Sequence, residues 1–166
     1  HFKSMKPRNI GPAGMSGRVT AIDAVWTNPN IIFLGTASGG VWKTENGGAS
    51  WESIFDDQPI LNIGAIAITQ SNPSVIWAGT GETWTRNSVS VGDGIYKSTD
   101  GGLNWINMGL PKSDRISSII VDPRDSNNIW VGVLGALWGD SEERGIYNSK
   151  DGGKTWNKIH YIDNKT

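Results

Sequence analysis

Six carboxylates of this 166-residue chain lie off its regular hydrophobic pattern and could do chemistry: Glu82, Asp93, Asp114, Asp140, Glu142 and Glu143. Two carboxyl groups roughly 5–5.5 Å apart can hydrolyse a glycosidic bond with retention, and a pair roughly 6.5–9.5 Å apart can do so with inversion. None of the six recurs with a partner at a fixed offset, so solvated loop charge is the expectation and no residue is assigned a catalytic role. Trp84 and Trp138 stand outside the strand period, and an indole face in a loop suits a sugar ring or a peptide side chain. Each could instead fold back as a lid over its own sheet. Arg18 and Arg115 carry planar forks that match a carboxylate bidentately; the same forks would tie neighbouring sheets through backbone carbonyls. Arg86 sits in the same stretch as Glu82 and Trp84. His1 and His160 have no HxxH, HExxH or acidic cluster around them, and neither a GxSxG elbow nor a GxxxxGK loop occurs. No metal or cofactor is expected.

The elements that must position these residues are repeats. TENGGASW (44–51), STDGGLNW (98–105) and SKDGGKTW (149–156) are nearly one octapeptide written three times. A period of about fifty residues signals an array of small structural units. Each unit opens with an alternating apolar run: Val19–Val25, Ile63–Ile68 and Ile116–Val121. An Asx-Pro turn follows, at Asn28-Pro29, Asn72-Pro73 and Asp122-Pro123, because proline pushes its predecessor out of helical space. Second runs cover Ile31–Gly35, Val75–Gly79 and Ile129–Gly132. Third runs carry an aromatic, at Trp42, Tyr96 and Tyr147, and fourth runs start at the octapeptide tryptophans. Four short strands per unit predict an antiparallel meander, and no stretch has helical spacing.

The octapeptide has its own mechanics. Its paired glycines supply the positive φ angles of a tight hairpin. Asn46, Asp100 and Asp151 are placed to accept hydrogen bonds from the turn's own amides. Trp51, Trp105 and Trp156 are expected to be buried against the adjoining layer, each bringing roughly 150–250 Å² of surface. A calcium loop would need ligands at several alternating positions and a closing glutamate. Only one carboxylate recurs here, so these positions read as structural.

The three octapeptides resemble Asp-boxes, the SxDxGxTW hairpins of bacterial neuraminidase repeats. With PRNIGPAGMSGRVTAI at the start, the chain is similar from about residue 8 to 160 to bacterial sortilin-like, neuraminidase-repeat propeller proteins. The first box carries Asn46 for Asp and Ser50 for Thr, and the second has Asn104 for Thr; each swap keeps a hydrogen-bonding group. The resemblance implies an all-β fold in which each meander is one blade of a β-propeller. It also implies that the loops joining first strands to the preceding blade, and those between second and third strands, line one face, opposite the octapeptide hairpins. Arg18, Glu82, Trp84, Arg86, Trp138 and Glu142 would then sit on the face that binds a ligand. Unit one there has only Thr36–Gly40, whereas units two and three insert Gly81–Asp93 and Gly135–Arg144, and insertions map to a repeat's working face.

The first unit also resembles xyloglucan-cleaving propeller enzymes, whose TDVGG-like turn holds a catalytic aspartate. Ala37 stands at that place here. Sialidases share the octapeptide, but their arginine triad, tyrosine–glutamate pair and acid do not assemble from these positions.

Residues 1–166 read as one partial propeller domain, with units at about 16–57, 60–110 and 113–162. Closed propellers typically need four to eight blades. The expectation is therefore a piece of a longer protein, or identical copies that complete a ring. The strip 1–12 resembles an outer ring-closing strand. A net charge of −1 offers no basic stripe for nucleic acid, and no apolar run is long enough to span a bilayer. The chain has no cysteine, so it has neither disulfides nor thiolate zinc sites. It starts at His1, as a processed chain would. The family resemblance implies export, to the periplasm, the cell surface or beyond. The expected function is a binding and scaffolding module for protein or glycan. The alternatives are part of a glycoside hydrolase with its carboxylates mostly in other blades, and a structural assembly factor.

Overall fold

The computed structural model describes residues 18–84 and 89–165. Within them lie twelve strands and no helix. Strands β1 (Val19–Val25), β2 (Asn28–Thr36), β3 (Val41–Thr44) and β4 (Glu52–Ser53) form the first sheet. The second contains β5 (Ile63–Ile68), β6 (Ile76–Thr80), β7 (Ile95–Ser98) and β8 (Ile106–Asn107). The third contains β9 (Ile116–Asp122), β10 (Asp125–Val133), β11 (Gly145–Ser149) and β12 (Asn157–His160). Each sheet is an antiparallel meander in sequence order, as the period-two pattern predicts. The strip 1–12 and Arg86 lie outside the described residues.

First strands meet first strands: β1 lies against β5, and β5 against β9. Successive side chains on a strand point to opposite faces, so the middle sheet buries both. Ile63, Ile66 and Ile68 face the first sheet with Phe33, Val41 and Phe55. Ala65, Ala67 and Trp77 face the third with Ile116, Ile119 and Val131. All six residues of β5 are consequently buried, whereas β1 and β9 each leave residues exposed, such as Ile22 and Ile120.

The hairpins follow the octapeptide logic closely. Thr44, Ser98 and Ser149 are buried, and their hydroxyls donate to Oδ1 of Asn46, Asp100 and Asp151 at 2.9, 2.8 and 2.8 Å. The same oxygens accept the amides of Ser50, Asn104 and Thr155, each at 2.9 Å. Both glycines of each pair have positive φ, as at Gly101 (77°) and Gly102 (98°). Gly47 and Gly152 donate to the carbonyls of Asn30 and Asn127 near the start of the second strand, and Gly101 to that of Ser74 just before it, which pins every octapeptide to its own sheet.

Hydrogen bonds, first from the Asn104 side chain and then from its amide and Ser98, hold the Asp100 carboxyl at about 2. Thr155 and Ser149 push Asp151 further below the usual carboxylate range. A carboxylate depressed in the folded state stabilises above its unfolded value, near 3.9, and loses that contribution as pH falls towards the folded value. Replacing both by Asn, the residue already present at 46, is expected to flatten the fall in urea midpoint between about pH 4 and 2. An acid limb as steep as that of the unmodified chain would contradict this.

Two expectations need correction. The first Asx-Pro pair is not a turn: Trp26-Thr27 forms it, Val25 pairs with Asn28, and Asn28-Pro29 opens β2. The residue before proline is barred from helix but not from extended backbone, so a strand satisfies it equally well. The octapeptide tryptophans are half-buried rather than buried. Trp105 and Trp156 each cross to the preceding sheet, where their Nε1–H groups donate to Ile54 O at 2.7 Å and Met108 O at 2.9 Å. Trp105 stacks edge-on to Phe55 at 5.0 Å. The indole must reach a backbone carbonyl at the rim, which leaves part of the ring in solvent. Trp77, Phe33 and Phe55 fill the interior instead.

Candidate functional site

In a meander the first and third turns share one end of the sheet, and the octapeptides occupy that end. The loops after β2, β6 and β10, together with the segments entering β5 and β9, therefore share the other. Ala37, Gly81 and Leu134 donate their amides to the carbonyls of Arg18, Asn62 and Arg115 at 3.0, 2.8 and 2.9 Å. These bonds make Arg18, Asn62 and Arg115 equivalent, one per sheet. By the same register, Glu82 matches Ser38 and Gly135.

Arg18 and Arg115 act differently from one another. Arg18 Nη2 donates to Glu82 Oε1, an ion pair between the first and second sheets. The Glu82 side chain is 4% exposed and that of Arg18 36%. Arg18 thus clamps a carboxylate, and that carboxylate belongs to the neighbouring sheet. Arg115 is buried and donates from Nη1 to Gly135 O at 3.3 Å. Burial pushes its guanidinium down and Asp114 partly offsets this.

Three of the remaining acids at this end are held locally. Asp93 Oδ2 accepts the Tyr96 hydroxyl at 2.7 Å. Glu143 Oε2 accepts the Tyr147 hydroxyl at 2.9 Å, and burial followed by this carboxylate raises the phenol far above its ordinary range. Asp140 Oδ2 accepts Asn164 Nδ2 at 3.2 Å. Glu142 is exposed, and its carbonyl accepts Lys158 Nζ. Among the described residues no group of three or more His, Asp or Glu is arranged to hold a metal.

The lid reading of the loop indoles fails. Trp84 is 67% exposed and Trp138 is 80% exposed, so neither covers its sheet. Trp138 lies in a loop pinned on both sides, which sequence reasoning missed. Arg144 donates to the carbonyls of Leu134, Ala136 and Asn164 at 2.7, 2.6 and 3.2 Å. Arg144 sits at the end of the insertion without a repeat counterpart, so periodicity could not reveal it. Asn62 was missed because only the flanking units carry arginine there.

A concavity of about 180 Å³ opens at the octapeptide end between the first-strand ends. Asp23, Trp26, Gln70, Ile120 and Asp122 line it. Gln70 is already committed, accepting Trp26 N–H and donating to Ala24 O, both at 3.0 Å. Asp122 chelates Arg124 at 3.0 Å, which holds its carboxyl at about 2. The cleft therefore has little free hydrogen-bonding capacity.

No protein-family model matches the chain. It is 27% identical over 149 residues to the oligoxyloglucan-reducing end-specific xyloglucanase of Emericella nidulans, covering 86% of this chain and 18% of that protein. It is 22% identical over 173 residues to a xyloglucanase of a Paenibacillus species, covering 95% of this chain and 16% of that one. The chain thus spans less than a fifth of the length of these curated relatives. Among solved structures, it superposes on the Niastella koreensis GH74 enzyme with a TM-score of 0.66 at 23% identity, covering 88% of this chain and 23% of that chain. YCF48 from Cyanidioschyzon merolae gives 0.56 at 19% identity, over 92% of this chain and 40% of that one. No helix among the described residues is long and apolar enough to cross a membrane. The three sheets are consecutive blades of a β-propeller, and this chain is similar in sequence to xyloglucan-cleaving enzymes built on that fold.

Proposed function

We propose that this chain forms part of the substrate-binding wall of an exported glycoside hydrolase that acts on a xyloglucan-like β-glucan. Its carbohydrate ligand lies along the loop end, and the bond-cleaving carboxylates come mainly from blades outside these residues. The observation that carries the reading is the pair of exposed indoles, Trp84 and Trp138, on the insertions of adjacent blades, in a chain similar to xyloglucanases. A flat indole buries the apolar face of a pyranose at small entropic cost. Ala37 occupies the place of an aspartate in the resembling turn, and Glu82 is neutralised by Arg18, so neither supplies a free acid. Arg18 and Glu82 then shape the wall by joining two blades. Further blades of the same protein complete the groove.

Isothermal titration of the chain with xyloglucan oligosaccharides tests this. Trp84→Ala combined with Trp138→Ala is expected to weaken binding at least about tenfold, roughly 1.4 kcal/mol, without changing the thermal midpoint. Unchanged affinity would remove both indoles from the site. Binding of protein but not glycan would favour the scaffolding reading instead.

A further inference from the structure

The segment leaving each blade returns a carbonyl to that blade's own loop. Leu61 O accepts Gly40 N–H at 2.7 Å, Asp114 O accepts Gly92 N–H at 2.7 Å, and Asn164 O accepts Ser141 N–H at 2.9 Å. In the third blade a guanidinium joins this latch. Arg144 spreads its donors over Leu134 O before the loop, Ala136 O at its start and Asn164 O beyond it. Asn164 adds its side chain, donating to Asp140 Oδ2 and accepting the Tyr161 hydroxyl at 3.1 Å. Between these anchors stands Trp138, followed by Gly139 at φ 96° with open space around it. A loop needed only as a connection would gain more by burying its indole. Here charge-assisted bonds fix the frame while the indole faces solvent, and a pre-set contact group loses less freedom when a ligand arrives.

We propose that Arg144 and Asn164 are positioning residues that hold the Trp138 indole ready as a stacking platform for a neutral sugar ring. The ligand class rests on the glycan reading above; the latch does not. The chain labelled with 5-fluorotryptophan gives one ¹⁹F resonance per indole, and Trp138→Phe identifies that of Trp138. In Arg144→Ala the Trp138 line is expected to shift and broaden while the other tryptophan lines stay in place, which separates a local release from unfolding. Affinity for a xyloglucan oligosaccharide should fall about threefold to tenfold, the size expected when one side chain must be ordered on binding. Asn164→Ala should give the same pattern more weakly, and Arg144→Lys should not restore it, because an ammonium cannot span the three carbonyls. A Trp138 line and an affinity unchanged in Arg144→Ala would overturn the proposal. If the unsubstituted chain binds no oligosaccharide while Arg144→Ala still moves the Trp138 line, the latch stands and the sugar assignment falls.

Discussion

Trp77→Ala is expected to destabilise the chain by about 3–5 kcal/mol, as deletion of a core aromatic does. Trp77 is the largest fully buried side chain among the described residues. It closes the gap between the second and third blades, with Trp156 edge-on at 6.4 Å and Lys97 Nζ 4.7 Å above its ring. Lys97 carries on to Gly152 O at 3.0 Å, so the indole, the ammonium and the next blade's octapeptide form one joint. The indole N–H has no hydrogen-bond partner among the described residues. An unpaired buried donor costs about 1–3 kcal/mol, so Trp77→Phe should recover much of the loss by removing it while keeping a ring in place. Urea unfolding of the two variants checks both statements. A Trp77→Ala loss below about 1 kcal/mol would mean that the blades do not meet there.

Gly64→Ala is expected to cost about 3 kcal/mol, at the upper end for overpacking. A methyl at Gly64 would lie 2.2 Å from Ile116 O and 2.4 Å from Gly81 O. Both are backbone atoms, so no side chain can swing away. The equivalent position in the first blade is Thr20, whose hydroxyl donates to Ile63 O at 2.6 Å. The second and third blades therefore approach more closely at their first strands than the first and second do. Thr20→Gly should cost much less than Gly64→Ala; equal effects in urea unfolding would contradict this asymmetry.

The contrast between those two positions shows how far the sequence could be read. Octapeptide, strand runs and blade count come from local rules: period-two alternation, paired glycines and a recurring Asx. They transfer directly to the hairpins around Thr44, Ser98 and Ser149, because the bonds to and from these hydroxyls span four residues or fewer. What could not be read spans the gaps between units. The Arg18–Glu82 pair joins residues 64 apart, and only Arg18 has a visible repeat counterpart. Trp77 looks like any strand aromatic until register aligns it with Phe33 and Trp130, whose partners are Asp23 and Ile120 as its own is Ala67. Trp138 drew attention because it broke the period, yet the loop that carries it is held by Arg144 and Asn164, which carry no pattern at all.

The joints between blades are most directly tested at the rim. Each octapeptide indole of the second and third blades should hand its N–H to the preceding blade, at Ile54 O and Met108 O. Proton NMR of the indole N–H groups reads this pair of contacts. Nuclear Overhauser effects from the Trp105 indole N–H to Ile54, and from that of Trp156 to Met108, with slow hydrogen exchange at both, are the predicted result. Indoles that exchange as fast as free tryptophan and lack those cross-peaks would show that the three sheets do not close on one another.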